Sequence, residues 1–74
     1  MTNIIPLLPL PPTDTRRNLR DAVGLTLREA AAEIGVSART YLRWEWGDTE
    51  PRAGNHKKYQ QQLQQWQDAL SDLT

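Results

Sequence analysis

The sequence predicts an all-α fold, and three observations lead to this prediction. Apolar residues recur at helical spacing, most clearly at positions i, i+3, i+4 and i+7 of the stretch that holds Leu27, Ala30, Ala31 and Ile34. Residues that commonly cap helix N-termini stand in front of the apolar stretches. Glycine follows several of them, as it often does directly after a helix. Together these patterns predict a succession of helices behind a non-helical N-terminal arm.

Length and composition narrow the classes of function. A chain of 74 residues is one small domain, too small for the deep pocket that enzymes and cofactor sites prefer. It has no cysteine, and His56 is its single histidine, so neither a metal site nor a catalytic triad is expected. We therefore predict no enzyme activity, no cofactor, no metal and no small-molecule ligand. Two classes remain: a nucleic-acid-binding module and a protein-interaction module.

The charge balance is neutral, with nine Lys and Arg residues against nine Asp and Glu residues. Phosphate contacts supply most of the non-specific affinity of DNA-binding proteins. A net charge of zero therefore weighs against a strong non-specific DNA binder. Any DNA binding must depend on local clusters of positive charge.

The N-terminal arm, residues 1–13, is apolar and rich in proline. Its large aliphatic residues are Ile4, Ile5, Leu7, Leu8 and Leu10. The arm is either a disordered tail or a segment that packs on the domain or on a second chain, because such a density of apolar residues is unusual in a solvated tail. It lacks the positive start of a signal peptide and is too short to span a bilayer. We expect a cytoplasmic protein of bacterial or phage origin, with no membrane partner.

Residues 14–74 are predicted to be the helical domain. The first helix begins near Asp14, with Asp14 or Thr15 as its cap, and ends at Gly24. Its apolar side carries Leu19, Ala22 and Val23. Its charged residues are assigned to the other sides of the helix: Arg16, Arg17, Arg20 and Asp21.

The next two helices have the clearest predicted boundaries. The second begins at the capping box Thr26–Glu29 and ends at Gly35. The third has Ser37 as its N-cap, runs over about 38–46 and stops at Gly47.

A polar loop over 48–54 leads to the fourth helix, predicted from Asn55 to about Asp72. Its apolar positions form a heptad seam: Tyr59, Leu63, Trp66, Leu70 and Leu73. Glutamines fill most of the other positions and are predicted to form a neutral face. The seam is assigned to the core, and its C-terminal end is a candidate contact with a partner chain.

The second and third helices have the properties of two helices that cross closely. Ala31 is placed at the crossing, because a small side chain lets two helices approach. Tyr41 and Trp44 are i, i+3 neighbours that face inward. Arg39 and Arg43 then share another face of the third helix, since residues four apart lie on one side.

Residues 26–47 resemble the helix-turn-helix of the Cro/C1 (XRE-type) repressors, with the motif over about 26–46. The shared pattern is an alanine, the turn Gly-Val-Ser, the ending Trp-Glu-x-Gly and Pro51 shortly afterwards. The chain also resembles small phage regulators of the anti-CRISPR-associated type. The resemblance implies a four- to five-helix, lambda-repressor-like DNA-binding domain, here with an extended N-terminal arm. It further implies a homodimer that binds double-stranded DNA.

In that family the second motif helix lies in the major groove, and its N-terminal residues contact base edges. By position, the implied base-contacting residues are Ser37, Ala38, Arg39, Leu42 and Arg43. The implied phosphate-contacting residues, with additions from the loop, are Thr26, Arg28, Thr40 and Arg52. The family often has glutamine where this chain has Leu27, so either one backbone contact is missing or Leu27 belongs to the core.

The residue types agree with this assignment. Arginine is well shaped to bind guanine O6 and N7 together, and Leu42 could touch a thymine methyl. Trp46 has two interpretations: it folds back on the 48–54 loop, or it contacts the DNA backbone or a dimer partner. The candidate interface residues are Ile4, Ile5, Leu7, Leu8, Trp46, Leu70 and Leu73.

The sequence therefore predicts a transcription regulator that binds specific duplex DNA, a repressor that could regulate its own operon. The alternative is a helix-turn-helix module that binds protein, such as an antirepressor or antitoxin. In that case the arm, Leu42 and Trp46 form the contact.

Overall fold

The computed structural model describes residues 10–73, and all the regular elements in this range are helices. In chain order they are α1 (Thr13–Val23), α2 (Leu27–Ile34), α3 (Ala38–Trp46) and α4 (Ala53–Ser71). The predicted all-α fold class is confirmed. The predicted contacts of Ile4, Ile5, Leu7 and Leu8 lie outside the described residues, whereas Leu10 is half-buried and packs against the core.

The boundaries of α2 and α3 are set by local capping, as predicted. The Thr26 hydroxyl accepts a hydrogen bond from the Glu29 N–H (3.1 Å), and the Glu29 carboxylate accepts one from the Thr26 N–H (3.0 Å). Hydrogen bonds from Thr26 to this carboxylate, that of the backbone N–H first and that of the side chain second, lower the pKa of Glu29 below its usual value of 4.5. Ser37 caps α3 by accepting a hydrogen bond from the Thr40 N–H (3.1 Å).

The turn between α2 and α3 requires a glycine. Gly35 has φ 81°, in the left-handed region that residues with a Cβ atom rarely adopt. Its N–H and that of Val36 bond back to carbonyls of α2, which closes the helix end. The chain therefore reverses within a few residues and brings α3 across α2.

The predicted starts of α1 and α4 are wrong. Helix α1 begins at Thr13 behind Pro12, and no side chain caps it. The Asp14 carboxylate accepts a hydrogen bond from the N–H of the adjacent Thr15, inside the helix (2.8 Å). Helix α4 begins at Ala53, so Asn55 lies in its first turn and does not cap it.

The core lies where all four helices meet. Its buried residues are Ala30, Ala31, Ile34, Tyr41, Trp44, Tyr59, Leu63 and Trp66. The Tyr59 ring lies 5.2 Å from that of Tyr41 and 5.1 Å from that of Trp44, centroid to centroid, so α3 and α4 are joined by aromatic contacts. Trp44 is a core residue, as predicted, and Leu27 packs against this core.

The fourth-helix seam is only partly core. Tyr59, Leu63 and Trp66 are buried, Leu70 is half-buried and Leu73 is 81 % exposed. The glutamines do not form a uniform neutral face, because Gln62 is buried. Its amide accepts a hydrogen bond from the Tyr41 hydroxyl (2.7 Å) and donates to the Ala30 carbonyl (3.0 Å). Gln62 therefore ties α4 to both motif helices.

Candidate nucleic-acid interface

Helix α3 presents one exposed stripe away from the core. Arg39, Leu42, Arg43 and Trp46 are all exposed. At about 100° per residue around the helix axis, these four positions fall within an arc of roughly 100°. The opposite side of the helix carries Tyr41 and Trp44, which hold it in the core. The stripe is therefore a fixed surface of the domain.

Two guanidinium groups dominate the charge of this stripe. Within residues 10–73, the guanidinium groups of Arg39 and Arg43 have neither a hydrogen bond nor an ion pair. The one acid of α3, Glu45, is 1 % exposed and forms a salt bridge with Arg20 of α1 (2.7 Å). Helix α3 therefore shows positive charge to solvent, although the net charge of the chain is zero.

The arginines of α1 have a different role from the arginines of α3. Arg20 is hydrogen-bonded to the Glu45 carboxylate, and this bond raises the pKa of Arg20. Arg16 donates to the Trp44 carbonyl (2.9 Å) and to the Pro11 carbonyl (2.7 Å). The bonds to Trp44 and Glu45 fasten α1 to the C-terminal turn of α3, where carbonyls lack partners within the helix.

The sequence assigns Arg16 to a side of α1 away from its apolar residues, yet Arg16 is buried, with 6 % of its surface exposed. Its charge lies 5.8 Å from the centre of the Tyr59 ring. Helical periodicity alone gives no signal for this burial, because the partners belong to other helices. The burial of Glu45 was missed for the same reason.

Trp46 does not fold back as local core, so that interpretation is wrong. Its side chain is 59 % exposed. The Arg17 guanidinium lies over the indole, 3.9 Å from the ring centre, and Arg17 also donates to the Glu45 carbonyl (2.6 Å). Trp46 is thus held at the C-terminal end of the stripe by a cation–π contact.

The remaining sequence-predicted site residues surround the stripe. Ser37 is exposed and Ala38 is half-buried at the N-terminus of α3, and the Ser37 hydroxyl donates to that of Thr40 (3.0 Å). Thr26 and Arg28 are exposed at the start of α2. Arg52 is exposed at the start of α4.

A groove of the described surface lies elsewhere. It has a volume of about 660 Å³ and runs between the end of α2 and α4, with Glu33, Lys58, Gln61 and Gln65 in its lining. No residue of α3 lines it.

In the same described range there is no group of three or more acidic or histidine side chains that could hold a metal ion. None of the helices there combines the length and hydrophobicity of a membrane span.

Two crossing helices joined by a glycine turn, with an exposed stripe on the second, define a helix-turn-helix domain. A family model described as Helix-turn-helix matches residues 17–64, which is well over half of the chain. The chain therefore belongs to this family, which is of the XRE type and similar to Cro and C1. It is a family of DNA-binding transcription regulators and not of enzymes.

No match is found among curated proteins or among solved structures. The resemblance to small phage regulators therefore stays a prediction.

Proposed function

We propose that this protein binds a specific duplex DNA sequence with the exposed stripe of α3 and represses transcription as a homodimer. Arg39 and Arg43 contact base edges, together with Ser37, Ala38 and Leu42. The DNA upstream of its own gene is the first target to test.

The observation that carries the proposal is the difference between the two sets of arginines. Arg16 and Arg20 are used inside the protein, in contacts with carbonyls and with Glu45. Within the described range, Arg39 and Arg43 have no such partner. Two unpaired guanidinium groups one helical turn apart suit the O6 and N7 acceptors of guanine in the major groove.

Phosphate contacts are assigned to residues around the stripe. Thr26 and Arg28 stand at the N-terminus of α2, where the helix dipole favours an anion. Thr40 and Arg52 are the further candidates. These contacts would fix the position of the domain on the duplex without reading its sequence.

A salt titration tests the proposal in its simplest form. The protein is incubated with a random duplex library, and the retained DNA is sequenced. Affinity for the selected duplex should fall steeply with salt, because each neutralised phosphate adds about 0.9 to the log–log slope. Two half-sites about one helical turn apart would support the homodimer, since its symmetry sets that spacing.

Matched arginine variants separate base contacts from phosphate contacts. Arg43→Ala should cost about 1–3 kcal/mol of binding free energy and relax the preference at one base position. Arg28→Ala should weaken all sequences alike and lower the salt slope by about one unit. If Arg43→Ala binds selected and scrambled duplexes as the parent does, the assignment of α3 as the base-contacting surface is wrong.

The second candidate function is binding of a protein partner, as in an antirepressor or antitoxin. The exposure of Leu42 and Trp46 on one stripe favours it, because tryptophan is enriched at the centres of protein interfaces. It predicts that no duplex is selected from the library and that no salt-dependent DNA binding is observed.

A further inference from the structure

One apolar side chain lies among the cations of the α3 stripe. The Leu42 side chain is 40 % exposed. Around the helix axis it lies about 60° from Arg39 and about 100° from Arg43. A single exposed leucine is ordinary on a protein surface. This one, however, lies on the surface that the proposed function directs toward base pairs.

Leu42 lies three residues after Arg39 and directly before Arg43, and its side chain is exposed. Trp46 also belongs to the stripe, but it lies one turn further along and the Arg17 guanidinium covers one face of its ring at 3.9 Å. No acid lies exposed on α3, since Glu45 is buried. The exposed charges of α3 beside Leu42 are therefore all positive.

The major groove offers one apolar group to such a side chain, the C5 methyl group of thymine, which 5-methylcytosine also carries. Arg39 and Arg43 are about 6 Å apart along the helix axis, roughly two base steps of 3.4 Å each. Leu42 lies between them along the helix axis and at one edge of the stripe around it, so it reaches base pairs next to those that the arginines contact.

We infer that Leu42 determines specificity by packing on the C5 methyl group of a pyrimidine within about two base pairs of a guanine bound by Arg39 or Arg43. The inference rests on the proposed function and adds the chemistry of one further base position. It predicts that the preferred DNA half-site combines guanine with a methyl-bearing pyrimidine.

Replacing thymine by uracil removes this methyl group and nothing else. Each thymine of the library-selected duplex is replaced in turn, and Kd is measured by fluorescence anisotropy with the full chain. We expect one replacement near a selected guanine to raise Kd about three- to fivefold, the value of one buried methyl group. Thymines further from the guanines should tolerate uracil without change.

Three variants assign the effect to Leu42. Leu42→Ala should bind thymine and uracil duplexes equally, and Leu42→Met should retain the difference because it keeps an apolar side chain. Gln65→Ala truncates an exposed residue of α4 and should behave as the parent. Thermal unfolding followed by circular dichroism checks that the variants fold, as the exposure of Leu42 leads us to expect.

The outcomes distinguish failure of the proposed function from failure of the inference about Leu42. Selection of no duplex overturns the proposed function and this inference with it. A selected duplex without a thymine near a guanine overturns the inference alone. So does equal binding of all uracil duplexes, or a thymine preference that persists in Leu42→Ala.

Discussion

At the scale of residues, the core holds two tyrosines that differ in one hydrogen bond. Tyr41 and Tyr59 are both completely buried. The Tyr41 hydroxyl donates to Gln62, whereas the Tyr59 hydroxyl has no hydrogen-bond partner among residues 10–73. A buried polar group without a partner keeps its full cost of desolvation. The two hydroxyls should therefore have opposite effects on stability.

Phenylalanine substitutions measure this difference. Tyr41→Phe should lower the free energy of unfolding by about 1–3 kcal/mol, because it leaves the buried Gln62 oxygen unpaired. Tyr59→Phe should leave stability unchanged or raise it by up to about 1 kcal/mol, because it removes an unpaired hydroxyl. Urea unfolding at pH 7 provides the measurement. A loss in Tyr59→Phe as large as that in Tyr41→Phe would show that the Tyr59 hydroxyl is paired in solution.

At the scale of elements, the sequence predicted the helices whose ends are set by neighbouring residues. The local signals are the capping box of α2, the N-cap of α3 and the glycines after both helices. Each acts within a few positions, so it can be recognised in the sequence. The start of α4 was not predicted, because no side-chain cap marks it. Pro51 is buried, and Ala53 begins the helix with φ 46°, a conformation that no sequence pattern here indicates.

The strained start of α4 predicts that an Ala→Gly substitution raises stability there, whereas the same substitution inside α2 lowers it. Ala53 is exposed and left-handed, so Ala53→Gly should relieve strain and raise the free energy of unfolding by about 0.5–1 kcal/mol. Ala32→Gly is the matched control, because Ala32 is exposed inside α2 and should lose about 1 kcal/mol. Thermal unfolding of both variants tests this. A loss in both would place Ala53 in an unstrained conformation.

At the scale of the whole molecule, the sequence does not predict which polar residues form contacts between helices. Periodicity placed Trp44 and Tyr41 in the core and Arg39 and Arg43 on the opposite face, as the structure shows. Periodicity gives no indication that a charged residue is buried, so the burial of Arg16 had no signal in the sequence. Its partners lie 28 residues away in the case of Trp44, and such contacts depend on the assembled fold.

The buried tyrosines also make the stability of the whole domain depend on alkaline pH. Burial raises the pKa of Tyr59 from its usual value of 10 to about 12, and burial raises the pKa of Tyr41 as well. Below pH 10 both the folded and the unfolded chain keep these hydroxyls protonated, so the contribution to stability is complete. As the pH rises above 10, the unfolded chain loses protons that the folded chain retains. Stability must therefore fall with pH in this window.

Each tyrosine should contribute up to about 1.4 kcal/mol per pH unit to this decline. Urea unfolding between about pH 9 and 11.5 measures the slope, and Tyr59→Phe should reduce it by the contribution of one tyrosine. All other titratable groups are shared by the parent and the variant. The difference between the two slopes therefore isolates Tyr59. Equal slopes would mean that its hydroxyl ionises as readily in the folded domain as in the unfolded chain.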